Sequence, residues 1–102
     1  MSNVELGSPM RIEVLKFAAD WCGTCRLIDP VLERVVNGLE GVELRRVNVE
    51  TEKSLTEEFE VKSLPTLIMR SPDGRVLGRM AGSMTGKTIE AALQAALAQS
   101  LT

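Results

Sequence analysis

The first apolar stretch of the chain, IEVLKFAA at residues 12–19, carries hydrophobic side chains at nearly every position. A strand with one face in water would alternate polar and apolar residues, so this stretch predicts a strand covered on both faces. Further on, apolar residues recur at spacings of three and four, which predicts an amphipathic helix. That helix would contain Pro30 and end near Asn37-Gly38; its apolar positions are Ile28, Val31, Leu32, Val35 and Leu39.

The rest of the chain continues to alternate between strand and helix patterns. Asp73-Gly74 is a strong turn signal between two apolar runs, which predicts an antiparallel hairpin, and Thr85 is a candidate helix cap. The predicted elements are a second strand at 42–50, a short helix at 51–59, hairpin strands at 65–70 and 75–82, and a last helix from Thr85 to about Leu97.

This element order predicts an α/β fold with a central mixed β-sheet of about four strands and helices on both faces. A length of 102 residues is typical of one domain. We assign residues 1–10 to an N-terminal tail or stub strand and residues 11–102 to the domain.

Composition narrows the function classes. The chain is 44% hydrophobic and 25% charged, with a net charge of −2, so nothing favours nucleic acid or an anionic membrane as partner. The first residues, MSNVELGSPM, lack the cationic start and apolar run of a signal peptide, and no apolar run is long enough to cross a bilayer. These features predict a cytoplasmic protein.

Cys22 and Cys25 are the only cysteines, and the chain has no histidine. A lasting structural disulfide is unfavoured in a reducing compartment, and so short a loop restrains little of the unfolded chain. A structural zinc site normally takes four Cys or His ligands, which would require a second subunit or carboxylates here. A redox-active dithiol is the remaining interpretation, and it needs support beyond the spacing.

The position of the pair supplies support. Cys22 follows a strand and opens a helix, where unpaired N–H groups and the helix dipole favour an anion such as a thiolate. We therefore expect Cys22 to have a lowered pKa and to act as the nucleophile. Cys25, one turn further on, would resolve the mixed disulfide. Two buried, inert thiols are the alternative interpretation.

The sequence resembles the thioredoxin family over about residues 11–98. The matching features are WCGTC at 21–25 followed by Arg26, Phe17, Pro30, SLPT at 63–66, Asp73-Gly74 and Gly82. The resemblance implies a protein dithiol-disulfide oxidoreductase without a bound cofactor. It also implies disulfide-containing protein substrates and a separate reductase, most simply flavin-dependent, as electron donor.

The resemblance further implies a site around the two cysteines. The Leu64–Pro65 bond would be cis and would place the Leu64 backbone opposite the cysteines, where it pairs with a substrate strand. Trp21 and Gly23 would support the active site, and the docking surface would comprise Trp21, Val49, Ser63, Leu64, Ala81, Gly82 and Ser83.

The chain departs from the family pattern in several places. The usual opening strand and helix have no room, so strand 42–50 should lie at or near a sheet edge, which suits Arg45 and Arg46. Thr24 replaces a proline and restores a backbone donor that can reach the Cys22 sulfur, which predicts a reduction potential above the value of about −270 mV typical of thioredoxins. Ala18 replaces a common tryptophan and should alter packing beneath the site.

Lys16 replaces a buried aspartate thought to take the proton of the second cysteine. On strand alternation it shares a face with Ile12 and Val14 and should point into or along an apolar layer. A charged lysine would lower the pKa of Cys25, and a neutral one would itself act as a base. Alternatively, its stem packs while the amine reaches water or a carboxylate.

Some interpretations stay open or carry no chemistry. A redox-regulated binding or adaptor module with little turnover is the main alternative to an enzyme, and a metal-bridged dimer is a third. Asp20 and Asp29 are expected in solvent. Five acidic residues, Glu50, Glu52, Glu57, Glu58 and Glu60, are expected on a solvated helix face.

Overall fold

The computed structural model describes residues 10–101, so all of the expected tail or stub strand except Met10 lies outside the described residues. The elements follow the predicted order. They are β1 (Ile12–Ala18), α1 (Gly23–Asn37), β2 (Val42–Asn48), α2 (Lys53–Glu58), β3 (Thr66–Arg70), β4 (Val76–Ala81) and α3 (Gly86–Gln99).

The four strands form one mixed sheet in the order β2-β1-β3-β4. Strand β1 runs parallel to β2, with Ile12 opposite Val42, and antiparallel to β3. Strand β2 is an edge of the sheet formed by residues 10–101, as expected. Its Arg45 and Arg46 side chains are 45% and 46% exposed, and such charged residues protect an edge from further pairing.

Two apolar clusters cover the two faces of β1, which confirms the prediction of a strand buried on both sides. Ile12 and Val14 pack with residues of α1 and α3 in the first cluster. Leu15 and Phe17 lie in the second cluster, beneath α2, where the Phe17 and Phe59 rings are tilted at 60° with centroids 5.9 Å apart. Helices therefore lie on both faces of the sheet.

The helix boundaries follow local chemistry. Thr85 caps α3 as predicted, in a reciprocal capping box with Thr88. Helix α1 ends at Asn37, at the predicted stop. Leu39, counted among the apolar positions of the predicted helix, therefore lies beyond the observed helix, although it still packs on the first cluster. Helix α2 is shorter at both ends than the predicted 51–59.

The end of α2 is held by a side chain from β4. The Arg79 guanidinium donates to the carbonyls of Phe59 at 2.6 Å and Glu60 at 3.0 Å. Glu60 has a φ of +52°, the left-handed conformation that commonly follows a helix and favours glycine. Glu60 is therefore an unfavourable residue for the backbone conformation just beyond the end of α2.

Replacing Glu60 with glycine should stabilise the fold. The left-handed conformation costs a non-glycine residue about 1–2 kcal/mol, of which the unfolded-state freedom of glycine offsets about 0.4–1 kcal/mol. Urea unfolding should therefore show a gain of about 0.5–1 kcal/mol for Glu60→Gly. The matched control Glu57→Gly, inside α2, should lose up to about 1 kcal/mol, and equal losses for both variants would contradict the argument.

Candidate active site

The two cysteines form a disulfide at the junction between β1 and α1. Cys22 is the N-cap of α1, and its sulfur accepts the Cys25 N–H at 3.2 Å, which satisfies one of the unpaired donors of the first helical turn. Cys22 is 6% exposed and Cys25 is 1% exposed. The helix thus begins one residue after Cys22, and the more accessible sulfur lies at the positive end of the helix dipole.

Thr24 contacts the same sulfur through its side chain. Its hydroxyl lies 3.4 Å from Cys22 Sγ. The sequence predicted that the backbone N–H of Thr24 reaches the sulfur, whereas in the structure the hydroxyl and the Cys25 N–H do so. Gly23, between them, is the first residue of α1 and has open space where a Cβ would lie.

Lys16 lies on the α1 side of β1 and is buried, with 3% of its surface exposed. Its Nζ donates to the carbonyl oxygen of Cys25 at 2.8 Å and to Asp29 Oδ1 at 2.5 Å. The predicted face is therefore correct, and the amine meets a carboxylate rather than water. Both acceptors come from α1, so the lysine joins the central strand to the helix that carries the disulfide.

Asp29 is the residue that the sequence interpretation missed. It was expected in solvent, but its side chain is only 37% exposed and binds both Lys16 and Arg46, the latter at 3.3 Å. Partial burial raises the pKa of Asp29, and the hydrogen bond and charge of Lys16, with a smaller contribution from Arg46, outweigh this and hold the pKa below 3.8. Its position four residues after Cys25, on the same helical face, was the available signal.

A cleft of about 500 Å³ lies beside this ion pair, between the start of α1 and strand β2. Ala18 lines it, at the position where the family commonly has tryptophan, and its short side chain leaves room. The lining residues are Lys16, Ala18, Ala19, Asp20, Cys25, Arg26, Asp29, Arg46, Val47, Asn48 and Glu52. The buried cysteine is thus bordered by a recess that has several charged side chains in its lining.

Trp21 projects from the loop before the disulfide and is 67% exposed. Its indole N–H donates to Glu50 Oε2 at 2.9 Å. Glu50 lies in the turn between β2 and α2, Glu52 is the N-cap of α2, and Glu60 lies beyond its end. The expected acidic helix face is therefore wrong for these three residues and holds for Glu57 and Glu58. The contact ties the loop of the cysteines to the segment next to Val49.

Other residues of the expected docking surface meet near the start of β3. The Leu64–Pro65 peptide bond is cis, as the resemblance implied. The carbonyl of Pro65 accepts the Gly82 N–H at 3.1 Å, and Ala81 pairs with Thr66. Gly82 has a φ of +83° and open space around its Cα, so a partner backbone can approach it closely.

The remaining members of that surface are more dispersed. Val49 and Leu64 are partly buried against the second apolar cluster. Ser63 and Ser83 are exposed. Among residues 10–101, no hydrogen bond or ion pair joins these residues to the disulfide, so their docking role stays a prediction.

Residues 10–101 contain no group of three or more His, Cys, Asp or Glu side chains suited to hold a metal ion. None of their helices combines the length and apolar character needed to cross a bilayer.

The junction and the sheet define a class of α/β proteins in which a Cys-x-x-Cys disulfide opens the helix after a central strand. The chain belongs to the thioredoxin family, because a family model described as Thioredoxin matches residues 3–95. The architecture is the thioredoxin fold. The solved structure of Fasciola hepatica thioredoxin has a TM-score of 0.74 with 29% identity, covering 84% of this chain and 82% of that one.

Curated relatives agree with this assignment. A thioredoxin of Chlamydia pneumoniae is 36% identical over 66 residues, which are 65% of this chain and 64% of that protein. A thioredoxin of Staphylococcus aureus is 38% identical over 69 residues, which are 67% of this chain and 62% of that protein. The chain thus matches less than two thirds of the length of these relatives.

The ion pair between Lys16 and Asp29 predicts that the stability of the fold depends on pH. Because the pKa of Asp29 in the folded protein lies below 3.8, its carboxylate stabilises the fold above that pH, and the stabilisation disappears as the pH falls through the lower folded value. Asp29→Asn should therefore be less stable than the parent protein at neutral pH. Urea unfolding at a series of pH values should show the difference shrinking in acid, and a constant difference would contradict this account.

Proposed function

We propose that this protein is a thiol-disulfide oxidoreductase that reduces protein disulfides through Cys22 and Cys25. The observation that carries the proposal is the disulfide at the N-cap of α1, in a chain of the thioredoxin family. In the reduced protein, the Cys22 thiolate attacks one sulfur of a substrate disulfide. A mixed disulfide forms, and the other substrate sulfur leaves as a thiolate with the electron pair and takes up a proton.

The second half-reaction belongs to Cys25. Its thiol loses a proton and attacks the Cys22 sulfur, the Cys22–Cys25 bond forms, and the second substrate sulfur leaves reduced. Exposure supports this division of roles, because Cys22 retains some accessible surface and Cys25 is almost wholly enclosed. The N–H of Cys25 and the hydroxyl of Thr24 are the groups that stabilise a thiolate at Cys22.

Substrate docking and electron supply complete the proposal. The substrate strand would lie against Leu64 and Pro65, bordered by Trp21 and Gly82, with Val49, Ser63, Ala81 and Ser83 around them. A separate reductase, most simply flavin-dependent, would return the electrons without any cofactor bound to this chain. We also propose that the protein acts as a monomer in the cytoplasm.

Reduction of insulin disulfides by dithiothreitol tests the activity. The parent protein should accelerate the reaction, and Cys22→Ser should abolish the acceleration because the nucleophile is lost. When the reduced Cys25→Ser variant is incubated with insulin without dithiothreitol, a mixed disulfide should accumulate that denaturing, non-reducing electrophoresis detects, because the resolving thiol is absent. Cys22→Ser is the matched control and should trap nothing.

The alternative, a binding or adaptor module, predicts a different outcome. The double variant Cys22→Ser/Cys25→Ser would then retain tight capture of a partner, and the parent protein would not accelerate insulin reduction. Elemental analysis of the purified protein tests the metal-bridged dimer, which requires stoichiometric metal.

The contact between Thr24 and Cys22 predicts an effect on the reduction potential. A hydroxyl that stabilises the reduced thiolate makes the disulfide more oxidising, so Thr24→Val should lower the potential. A bond to a charged group contributes about 1.5–3 kcal/mol, which corresponds to a decrease of about 30–60 mV. Equilibration with glutathione measures it. Thr24→Ser keeps the hydroxyl and should stay near the parent value, and an unchanged potential in Thr24→Val would contradict the assignment.

A further inference from the structure

The buried amine of Lys16 is bound to the helical turn that carries the second cysteine. It donates to the carbonyl oxygen of Cys25 itself and to the carboxylate of Asp29. An ammonium group removed from water is costly unless it is paired, and here the pairing comes entirely from α1. The position of Cys25 relative to β1 is therefore fixed by a polar contact inside an otherwise apolar interface.

Asp29 lies one helical turn after Cys25. Residues four positions apart on a helix have neighbouring side chains, and both of these residues line the cleft of about 500 Å³ between α1 and β2. Lys16, which carries the other charge of the ion pair, also lines this cleft, so both charged groups and Cys25 border the same recess. Their effects on a negative charge at Cys25 have opposite signs.

We propose that Lys16 and Asp29 form a charge-balanced positioning pair for Cys25, in which the carboxylate offsets the ammonium so that neither charge alone governs the ionisation of the resolving thiol. This proposal rests on the proposed function for its consequence in turnover. Asp29 thereby has a role of its own, and the effect of Lys16 on the ionisation of Cys25 depends on the Asp29 carboxylate.

The chemical step concerned is resolution of the mixed disulfide. Cys25 loses its proton to solvent, and its thiolate attacks the Cys22 sulfur. The bond between Cys22 and the substrate sulfur breaks, and the substrate sulfur leaves with the electron pair and is protonated. The Cys25 sulfur is oxidised and the substrate sulfur is reduced, while the Cys22 sulfur remains in a disulfide, so the step needs no other reactant.

Other charges face the same cleft and bear on the titration of Cys25. Arg46 of β2 lies 3.3 Å from Asp29 and is also bound to Glu33. It partly compensates Asp29 when Lys16 is removed, so the Lys16 variant should show the smaller effect. The remaining charged groups of the lining are Asp20 in the loop, Arg26 on α1 and Glu52 before α2.

The test titrates Cys25 in the reduced Cys22→Ser protein by its thiolate absorbance. Asp29→Asn keeps the size of the side chain and leaves the ammonium unopposed, so the Cys25 pKa should fall. Lys16→Met keeps the length of the stem and leaves the carboxylate, so the Cys25 pKa should rise. The double variant Lys16→Met/Asp29→Asn should return close to the parent value.

Glu13→Gln is the matched control, because Glu13 also lies on β1 and forms a half-buried ion pair, with Arg70 at 3.0 Å, away from the disulfide. It should not change the Cys25 titration. Unchanged titrations in both single variants, or shifts of both in the same direction, would overturn the proposal, because a merely structural role predicts no opposition of sign. If Lys16→Met does not fold, the Cys25 pKa of Asp29→Asn is compared with that of Glu13→Gln. A lower pKa in Asp29→Asn supports the proposal, and equal values overturn it.

The resolution rate gives a second measurement. The rate of the Cys25 attack rises with the fraction of Cys25 that is thiolate. The nucleophilicity of that thiolate falls as its pKa falls, and this offsets part of the gain. A tenfold change in thiolate fraction therefore changes the rate by only about threefold. Release of substrate from a preformed mixed disulfide should therefore be faster for Asp29→Asn and slower for Lys16→Met. If the parent protein fails to reduce insulin, the proposed function fails, whereas the titration still tests the pair.

Discussion

Burial of strand β1 on both of its faces is the constraint on which the rest of the structure depends. Ile12 and Val14 on one face, and Leu15 and Phe17 on the other, have no exposed surface. Both backbone edges of the strand are also paired, with β2 and β3. With both faces and both edges of the strand covered, its carboxyl end is where the chain leaves the sheet. Helix α1 and the disulfide begin there, at the edge where ligand sites of open α/β sheets occur.

Lys16 breaks the apolar pattern of that strand. Burying a cation costs several kcal/mol unless hydrogen bonds and an opposite charge compensate it. Here the compensation comes from the Cys25 carbonyl and the Asp29 carboxylate, both on α1. A residue that would destabilise the apolar layer thereby forms a specific contact between the central strand and the helix that carries the disulfide. The packing of the core and the geometry of the disulfide are consequently coupled.

Polar contacts between segments that are distant in the sequence hold the periphery of the site together. Trp21 reaches Glu50 after β2, Pro65 accepts from Gly82 after β4, and Arg79 holds the end of α2. Each contact joins segments that the sheet has already brought near. Strand β2 lies at the edge of the described sheet, where Arg45 and Arg46 form ion pairs with Glu52 and Glu33 of neighbouring elements.

The sequence by itself determined the element order, the double burial of β1, the Thr85 cap and the position of Cys22 at a helix start, because periodicity and capping are local properties. It also placed Lys16 on the correct face of β1. Only the tertiary structure decided what its amine meets, that the Asp29 side chain is partly withdrawn from solvent and that Glu50 binds Trp21. Those contacts depend on the distance and angle between elements, which the packing of whole faces sets and which no local pattern encodes.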